Sequence, residues 1–142
     1  MTGQPGFLTL EDLLRMAEGL LPDVAVGDIG LLESAAVRPR STAFGELAYP
    51  TFELQGAALM HSIARNHALA DGNRRLGWAA VRTFHLLNGR DLSYSVDDAE
   101  AFVLAVAHGD LDVPEIARWL RDHAIDDRSP CVVRMLPHHP RC

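Results

Sequence analysis

The chain has 142 residues, enough for one domain with its own core and too few for two of ordinary size. Hydrophobic residues make up 48% and charged residues 23%, both near globular averages, which excludes wholesale disorder. Thirteen basic residues, every one of them arginine, stand against nineteen acidic ones; a net charge of −6 repels phosphate backbones at long range, so direct nucleic-acid binding is not expected.

Helical periodicity dominates the chain, and no convincing alternating strand is visible. Thr9 can cap a first helix running to about Gly19, with Leu10, Leu13, Leu14 and Ala17 along one face. Pro22 to Gly27 breaks it. Asp28 can cap a short second helix through Ile29, Leu32 and Ala36, which Pro39 stops. Residues Arg38 to Pro50 mix Pro, Ser, Thr and Gly with Phe44 and Tyr49, the composition of an ordered loop or small hairpin. A third helix is expected from Thr51 to Asn66. After the interruption His67–Gly72 comes a fourth, from Asn73 to Asn88, apolar enough to be the buried centre, with Gly89 as its left-handed cap. Ser95 and Asp98 open a fifth helix ending at Gly109, and Pro114 sits in the first turn of a sixth that ends near His123. The expectation is an all-α domain over 1–125, a compact bundle of about six helices, with 126–142 as a loose tail rich in proline.

Cys131 and Cys142 both lie in that last stretch and form no disulfide framework, so reduced thiols and a cytoplasmic setting are expected. Residues 1–7 show no signal-peptide pattern, and no apolar run approaches the roughly 20 residues that span a bilayer, so no membrane association is expected.

Chemistry concentrates in the nine positions from His67 to Arg75, HALADGNRR, which join two apolar helices. Gly72 permits backbone angles closed to other residues, and the amides after it form the start of the fourth helix, where free N–H groups and the helix dipole attract an anion. Arg74 and Arg75 put two cations at that positive end. This is unfavourable alone and suits a polyanion lying between them. Asp71 is a single hard carboxylate of the kind that holds magnesium on a nucleotide. His67, four residues earlier, can accept a proton from an attacking hydroxyl near neutral pH. On spacing alone the same residues are also an ordinary turn and helix start with solvent-facing arginines.

The segment resembles the Fic/Doc signature HxFx[D/E]GN[G/K]R, and more narrowly that of its death-on-curing (Doc) branch. His67, Asp71, Gly72, Asn73 and Arg75 fall on its defining positions, and GLLESA at Gly30–Ala35, the FGE loop, YPT at Tyr49–Thr51 and NG at Asn88–Gly89 match its surroundings. The resemblance runs from about Thr9 to His123. It implies a helical bundle with the signature loop between two central helices. His67 would be the base on a target hydroxyl, Asp71 the magnesium ligand, and Asn73, Arg74 and Arg75, with Gly72, the grip on the phosphates of ATP. A flap around Arg40–Leu47 would dock the target.

Three departures sharpen the resemblance. Leu69 replaces the signature Phe, a packing position where repacking is cheap. Arg74 stands where AMP-transferring members have Gly and Doc toxins usually have Lys. Trp78 takes the place of a second phosphate-gripping Arg. The last two favour a Doc-like protein kinase, moving the γ-phosphoryl group of ATP to a Ser or Thr hydroxyl of a translation factor of the elongation-factor Tu type, over AMP transfer. Gly72 itself is the choice of AMP-transferring members, so nucleotidyl transfer stays open, as does an inactive antitoxin-binding module. The inhibitory motif [S/T]xxxE[G/N] of many Fic enzymes is absent, since Leu14 precedes Glu18-Gly19. Restraint is therefore expected from a separate Phd-type antitoxin whose segment folds on binding. His61, His85, His108 and His123 have no metal-ligand spacing and read as solvent or core polar residues; Trp78, Phe84 and Trp119 read as core.

Overall fold

The computed structural model describes residues 6–126. The first helix, α1 (Leu10–Leu20), starts on a reciprocal capping box: Thr9 Oγ1 accepts the Asp12 amide at 3.1 Å and the Asp12 carboxylate accepts the Thr9 amide at 2.9 Å. The second, α2 (Ile29–Val37), is capped by Asp28, whose carboxylate accepts the Leu31 amide. A single 3-10 turn over Arg38–Arg40 carries Pro39 at its start, and Pro39 is itself buried. The strands β1 (Thr42–Ala43) and β2 (Glu46–Leu47) then pair antiparallel, Thr42 opposite Leu47, as a hairpin. Phe44 and Gly45 form its tip at φ +54° and +82°, the twisted two-residue turn that suits hairpins.

Two fifteen-residue helices follow, α3 (Phe52–Asn66), capped by Thr51, and α4 (Asn73–Leu87). They pack against each other more extensively than any other pair of elements. Small residues let them approach. A Cβ on Gly77 would lie 3.4 Å from the Met60 carbonyl, and one on Gly56 would lie 3.4 Å from Val81. After α4 the chain runs through β3 (Arg90–Leu92), α5 (Val96–His108) and α6 (Val113–Asp122) into β4 (Ala124–Asp126). Ser95 caps α5, and Asp112 with Glu115 forms a capping box on α6.

Six helices in a mostly α bundle, with a hairpin ahead of the third, match the architecture expected from periodicity. Two details differ. The central helix is α3 rather than α4. Its residues from Gln55 to Met60 and from Ser62 to Ala64 are buried, and it also touches α2, α5 and α6. By contrast α4 leaves Leu86 and Leu87 half exposed at its far end. The buried face of α3 combines Leu59, Met60 and Ile63 with Gly56, Ala57, Ala58 and Ala64, whose small side chains let neighbours close on it from several sides. The second difference is the sheet of β3 and β4, paired antiparallel with Leu92 opposite Ala124. Strands of three residues are too short for alternation to register. Asp126 closes β4, and the remainder of the expected tail, with both cysteines, lies outside the described residues.

Two core clusters meet along the α3–α4 pair. One joins α1 and α2 to Leu59, Ile63, Leu76 and Phe84; the other joins α5 and α6 to Met60, Ala64 and Val81. Leu69 is buried in the first, so the leucine that replaces the signature phenylalanine is packed.

Candidate active site

The connection from α3 to α4 enters and leaves through left-handed residues. His67 ends α3 at φ +55°, ψ +43°, and Gly72 begins α4 at φ +89°, ψ +11°. A non-glycine residue in that region is uncommon and marks a conformation the surroundings impose. Those surroundings are visible. The Ala68 carbonyl accepts the amides of Gly27 and Asp28 at 2.8 and 3.0 Å, and the Ala70 amide donates to the Ala25 carbonyl at 2.8 Å, so Val26 and Leu69 form an antiparallel bridge. Inside the loop, Asn73 closes a two-way clasp: its Oδ1 accepts the Leu69 amide at 3.0 Å and its Nδ2 donates to the Leu69 carbonyl at 2.9 Å.

The Asn73 side chain is buried, and its Oδ1 and one Nδ2 hydrogen are held by the Leu69 backbone, so the clasp braces the loop while Asn73 still lines the cleft and adds its backbone N–H to the helix start. The start of α4 is otherwise open. No side chain caps it, and the first of its amides to find a helical acceptor is that of Leu76, on the Gly72 carbonyl. At Gly72 a Cβ would come within 2.6 Å of the Leu21 side chain, so both φ and space call for glycine.

One cleft of about 830 Å³ gathers His67, Asp71, Gly72, Asn73, Arg74 and Arg75, all six residues singled out in the sequence. Its opposite wall is Leu21, Pro22, Asp23 and Ala25 after α1, with Ala107 and His108 from the end of α5. His67, Asp71, Arg74 and Arg75 are exposed to it. The two ion pairs of the described residues, Arg82–Asp91 and Arg90–Glu53, involve none of these charges. Arg75 Nη1 reaches only the Leu20 carbonyl at 3.5 Å, and Asp71 Oδ1 accepts the Gly72 amide at 2.9 Å. Two unpaired guanidiniums, a row of open amides and a solvent-facing imidazole thus share one concavity.

Among the described residues no three His, Cys, Asp or Glu side chains are placed to hold a metal ion. Asp71 fits the other mode, in which a hard cation takes one carboxylate oxygen and completes its shell with water and phosphate. Among the described residues the remaining histidines stand away from this chemistry, except that His108 lines the cleft. His85 is fully buried, its Nδ1 donating to the Val81 carbonyl at 2.8 Å. His61 lies 3.1 Å from Arg38 Nη1, and burial first, then the Arg38 charge, lowers its pKa. The same Arg38 donates to the Tyr49 hydroxyl and the Ser62 hydroxyl, each at 2.8 Å, and so fixes the base of the hairpin to α3.

Sequence reasoning missed the far wall. Asp23 and the Ala25–Asp28 strap meet the loop through backbone pairing, which leaves no residue-type signature, and His108 reaches it from across the fold.

A helical bundle that holds such a loop between its two central helices defines a recognisable class. The Fic/DOC family model matches residues 7–85, and the chain belongs to that family. It is also 45% identical over 121 residues to a protein of Mycolicibacterium smegmatis named Toxin Doc, an alignment covering 83% of this chain and 93% of that one. No helix of the described residues is long and apolar enough to cross a membrane.

Proposed function

We propose that this protein is the toxin of a toxin–antitoxin pair and acts as a Doc-like protein kinase in the cytoplasm. It would move the γ-phosphoryl group of ATP to a Ser or Thr hydroxyl of a translation factor of the elongation-factor Tu type. The observation that carries the reading is the cleft itself. An uncapped helix start, two unpaired arginines, a lone carboxylate and an exposed imidazole line one concavity, with the loop between them held by the Asn73 side chain and the backbone of the Ala25–Asp28 strap. The relationship to the Mycolicibacterium smegmatis protein supports the toxin reading.

Each residue then has a task. The amides of Asn73, Arg74 and Arg75 and the two guanidiniums hold phosphate oxygens, a task of positioning and charge stabilisation rather than covalent chemistry. Asp71 would hold magnesium, which on a nucleotide neutralises phosphate charge when bound. An imidazole nitrogen of His67 takes the proton of the target hydroxyl as that oxygen bonds to the γ-phosphorus and the bond from the γ-phosphorus to the β–γ bridging oxygen breaks, leaving ADP. The hairpin of β1 and β2 lies within the expected flap Arg40–Leu47, and its fully exposed Phe44 gives a docking target an apolar handle. A Phd-type antitoxin whose segment folds on binding would supply the restraint that Leu14 and Glu18 do not.

Transfer of AMP is the competing reading, and Trp78 disfavours it. That side chain packs edge-on against Tyr94, Phe102 and Trp119, so no cation stands where AMP-transferring relatives place their second arginine. Incubating the full chain and purified elongation factor with ATP labelled at either the α or the γ phosphate separates the two. Label retained only from the γ position, and lost with His67→Ala, is the expected result. Retained α label means nucleotidyl transfer. No label, with harmless expression in cells, leaves an inactive antitoxin-binding module.

A further inference from the structure

The hairpin of β1 and β2 has no core of its own. From Ser41 to Pro50 no residue is buried, and Phe44 at the tip is fully exposed. Its angle to the bundle is therefore set at its base, where the contacts are polar. The Arg38 carbonyl accepts the Ser41 amide on the entering leg, and the Ser41 carbonyl accepts the Ala48 amide from the leaving leg. On that second leg the Tyr49 carbonyl accepts Gln55 Nε2 at 3.1 Å, and the Tyr49 hydroxyl accepts Arg38 Nε. Arg38 is half-buried, its guanidinium 5.3 Å from the centre of the Tyr49 ring, and neither ion pair of the described residues includes it. Its other hydrogen bonds run into α3, to Ser62 Oγ and to His61 Nδ1.

The contact with His61 fixes a protonation state. A guanidinium only donates and keeps its charge, so His61 Nδ1 must accept; a neutral imidazole with its proton on Nε2 can do so and an imidazolium cannot. Protonation would set two cations 3.1 Å apart. We infer that Arg38 and His61 are positioning residues for the docking of the target protein. Neutral His61 holds the guanidinium, the guanidinium holds Tyr49, and Tyr49 holds the hairpin at the angle the target meets. The inference rests on the reading of the hairpin as the docking flap, and adds control of its pose by a single proton. The charges that face His61 come from three elements. Arg38 on the 3-10 turn and Arg65 on α3 oppose a proton on the ring, and Asp112 at the start of α6 favours one; burial, the largest influence, acts with the arginines and brings the pKa below the ordinary 6.5. The lock is closed near neutral pH and opens in acid.

Two readouts on the full chain test this. Amide hydrogen exchange of the free protein, corrected for the intrinsic effect of pH, follows Ala48 and the hairpin without any target. Steady-state kinetics compare KM for purified elongation factor Tu with kcat and with KM for ATP. Arg38→Ala should speed exchange at Ala48 and raise KM for the factor by about tenfold, with kcat and KM for ATP nearly unchanged. Because that variant also empties a half-buried position, Tyr49→Phe supplies a milder cut; it removes one hydroxyl and should move the same two quantities by about threefold. His61→Gln separates positioning from packing, since its amide oxygen can accept from Arg38 and takes no proton. As pH falls below 6.5, hairpin exchange and KM for the factor should rise more in the wild type than in His61→Gln, while kcat follows His67 in both. Exchange unchanged in Arg38→Ala and Tyr49→Phe, or equally dependent on pH with His61 and with Gln, overturns the inference. So does a loss that falls on kcat or on ATP rather than on the factor. If the wild type does not label the factor, the kinase reading fails, and the exchange data alone uphold or overturn the lock.

Discussion

The two central helices are of equal length and antiparallel, yet they begin in opposite ways. Thr51 caps α3 through the Leu54 amide at 3.2 Å, and Glu53 sits in its first turn, charge and hydrogen bond both matched to a helix start. The first turn of α4 has no cap and no acid, and carries Arg74 and Arg75 against the dipole. The other four helices resemble α3, each with a side-chain cap. Among the α-helices of the described residues, the one start without a side-chain cap is the one that faces the cleft. Local rules are broken where a site is functional or strained, and the α4 start is where the proposed nucleotide would supply the missing negative charge.

The largest effect should come from the residue that closes α3 onto that start. His67→Ala is expected to lower phosphoryl transfer by about 10²–10⁴-fold, measured as γ-label on the target, with thermal stability nearly unchanged because the side chain is exposed. A loss of stability in parallel with activity would show His67 to be a structural hinge instead.

Next come two arginines seven residues apart on α4. Arg82 donates to Asp91 at 2.9 Å and to the Tyr94 hydroxyl at 2.7 Å, half buried and paired; Arg75 is exposed and unpaired. Arg82→Ala should cost about 2 kcal/mol of stability in denaturant melts. Arg75→Ala should leave the melt unchanged and weaken nucleotide binding by roughly tenfold or more. Equal effects in both assays would erase the division between the functional and structural ends of the helix.

Repairing the α4 start should fail. Gly72→Ala keeps the open amides but forces a Cβ into the left-handed region against Leu21, at a cost of about 1–2 kcal/mol. At the α3 start, Thr51→Ala should cost about 1 kcal/mol and leave nucleotide affinity alone. A stabilised Gly72→Ala variant would show the α4 start to be unstrained.

How much of this was legible in the sequence follows from the same contrast. Helix starts were readable because Thr9, Asp28, Thr51 and Ser95 act on amides two or three residues away. The cleft residues were readable because they are contiguous, and a break in apolar periodicity between two helices is itself a signal. What depends on partners distant in the chain was not. The clasp of Asn73 on Leu69 depends on how the loop folds back, and the Ala25–Asp28 strap and the β3–β4 pairing are backbone contacts indifferent to residue type. The order of burial was misjudged for a related reason. Depth depends on how many elements pack on a helix, and α3 meets α2, α4, α5 and α6, which its own residues do not announce.

The weakest test concerns the opposite end of the pair, where α4 finishes against the start of α3. His85 is fully buried, its ring edge-on to Phe52 at 4.9 Å, with Nδ1 spent on Val81 and no partner for Nε2. Burial is the main cause that lowers its pKa from the ordinary 6.5. Above that value the ring is neutral in both folded and unfolded chains, and His85 leaves stability independent of pH. Below it the unfolded chain binds the proton and the folded chain does not, so stability falls with pH until the folded value is reached. His85→Asn, which can still donate to the Val81 carbonyl, should flatten the dependence of melting temperature on pH below 6.5. His61 is lowered in the same direction and supplies the slope that remains. Since neither imidazole lines the cleft, the pH profile of phosphoryl transfer should not move with His85→Asn; a profile that did move would couple the buried end of α4 to its open start.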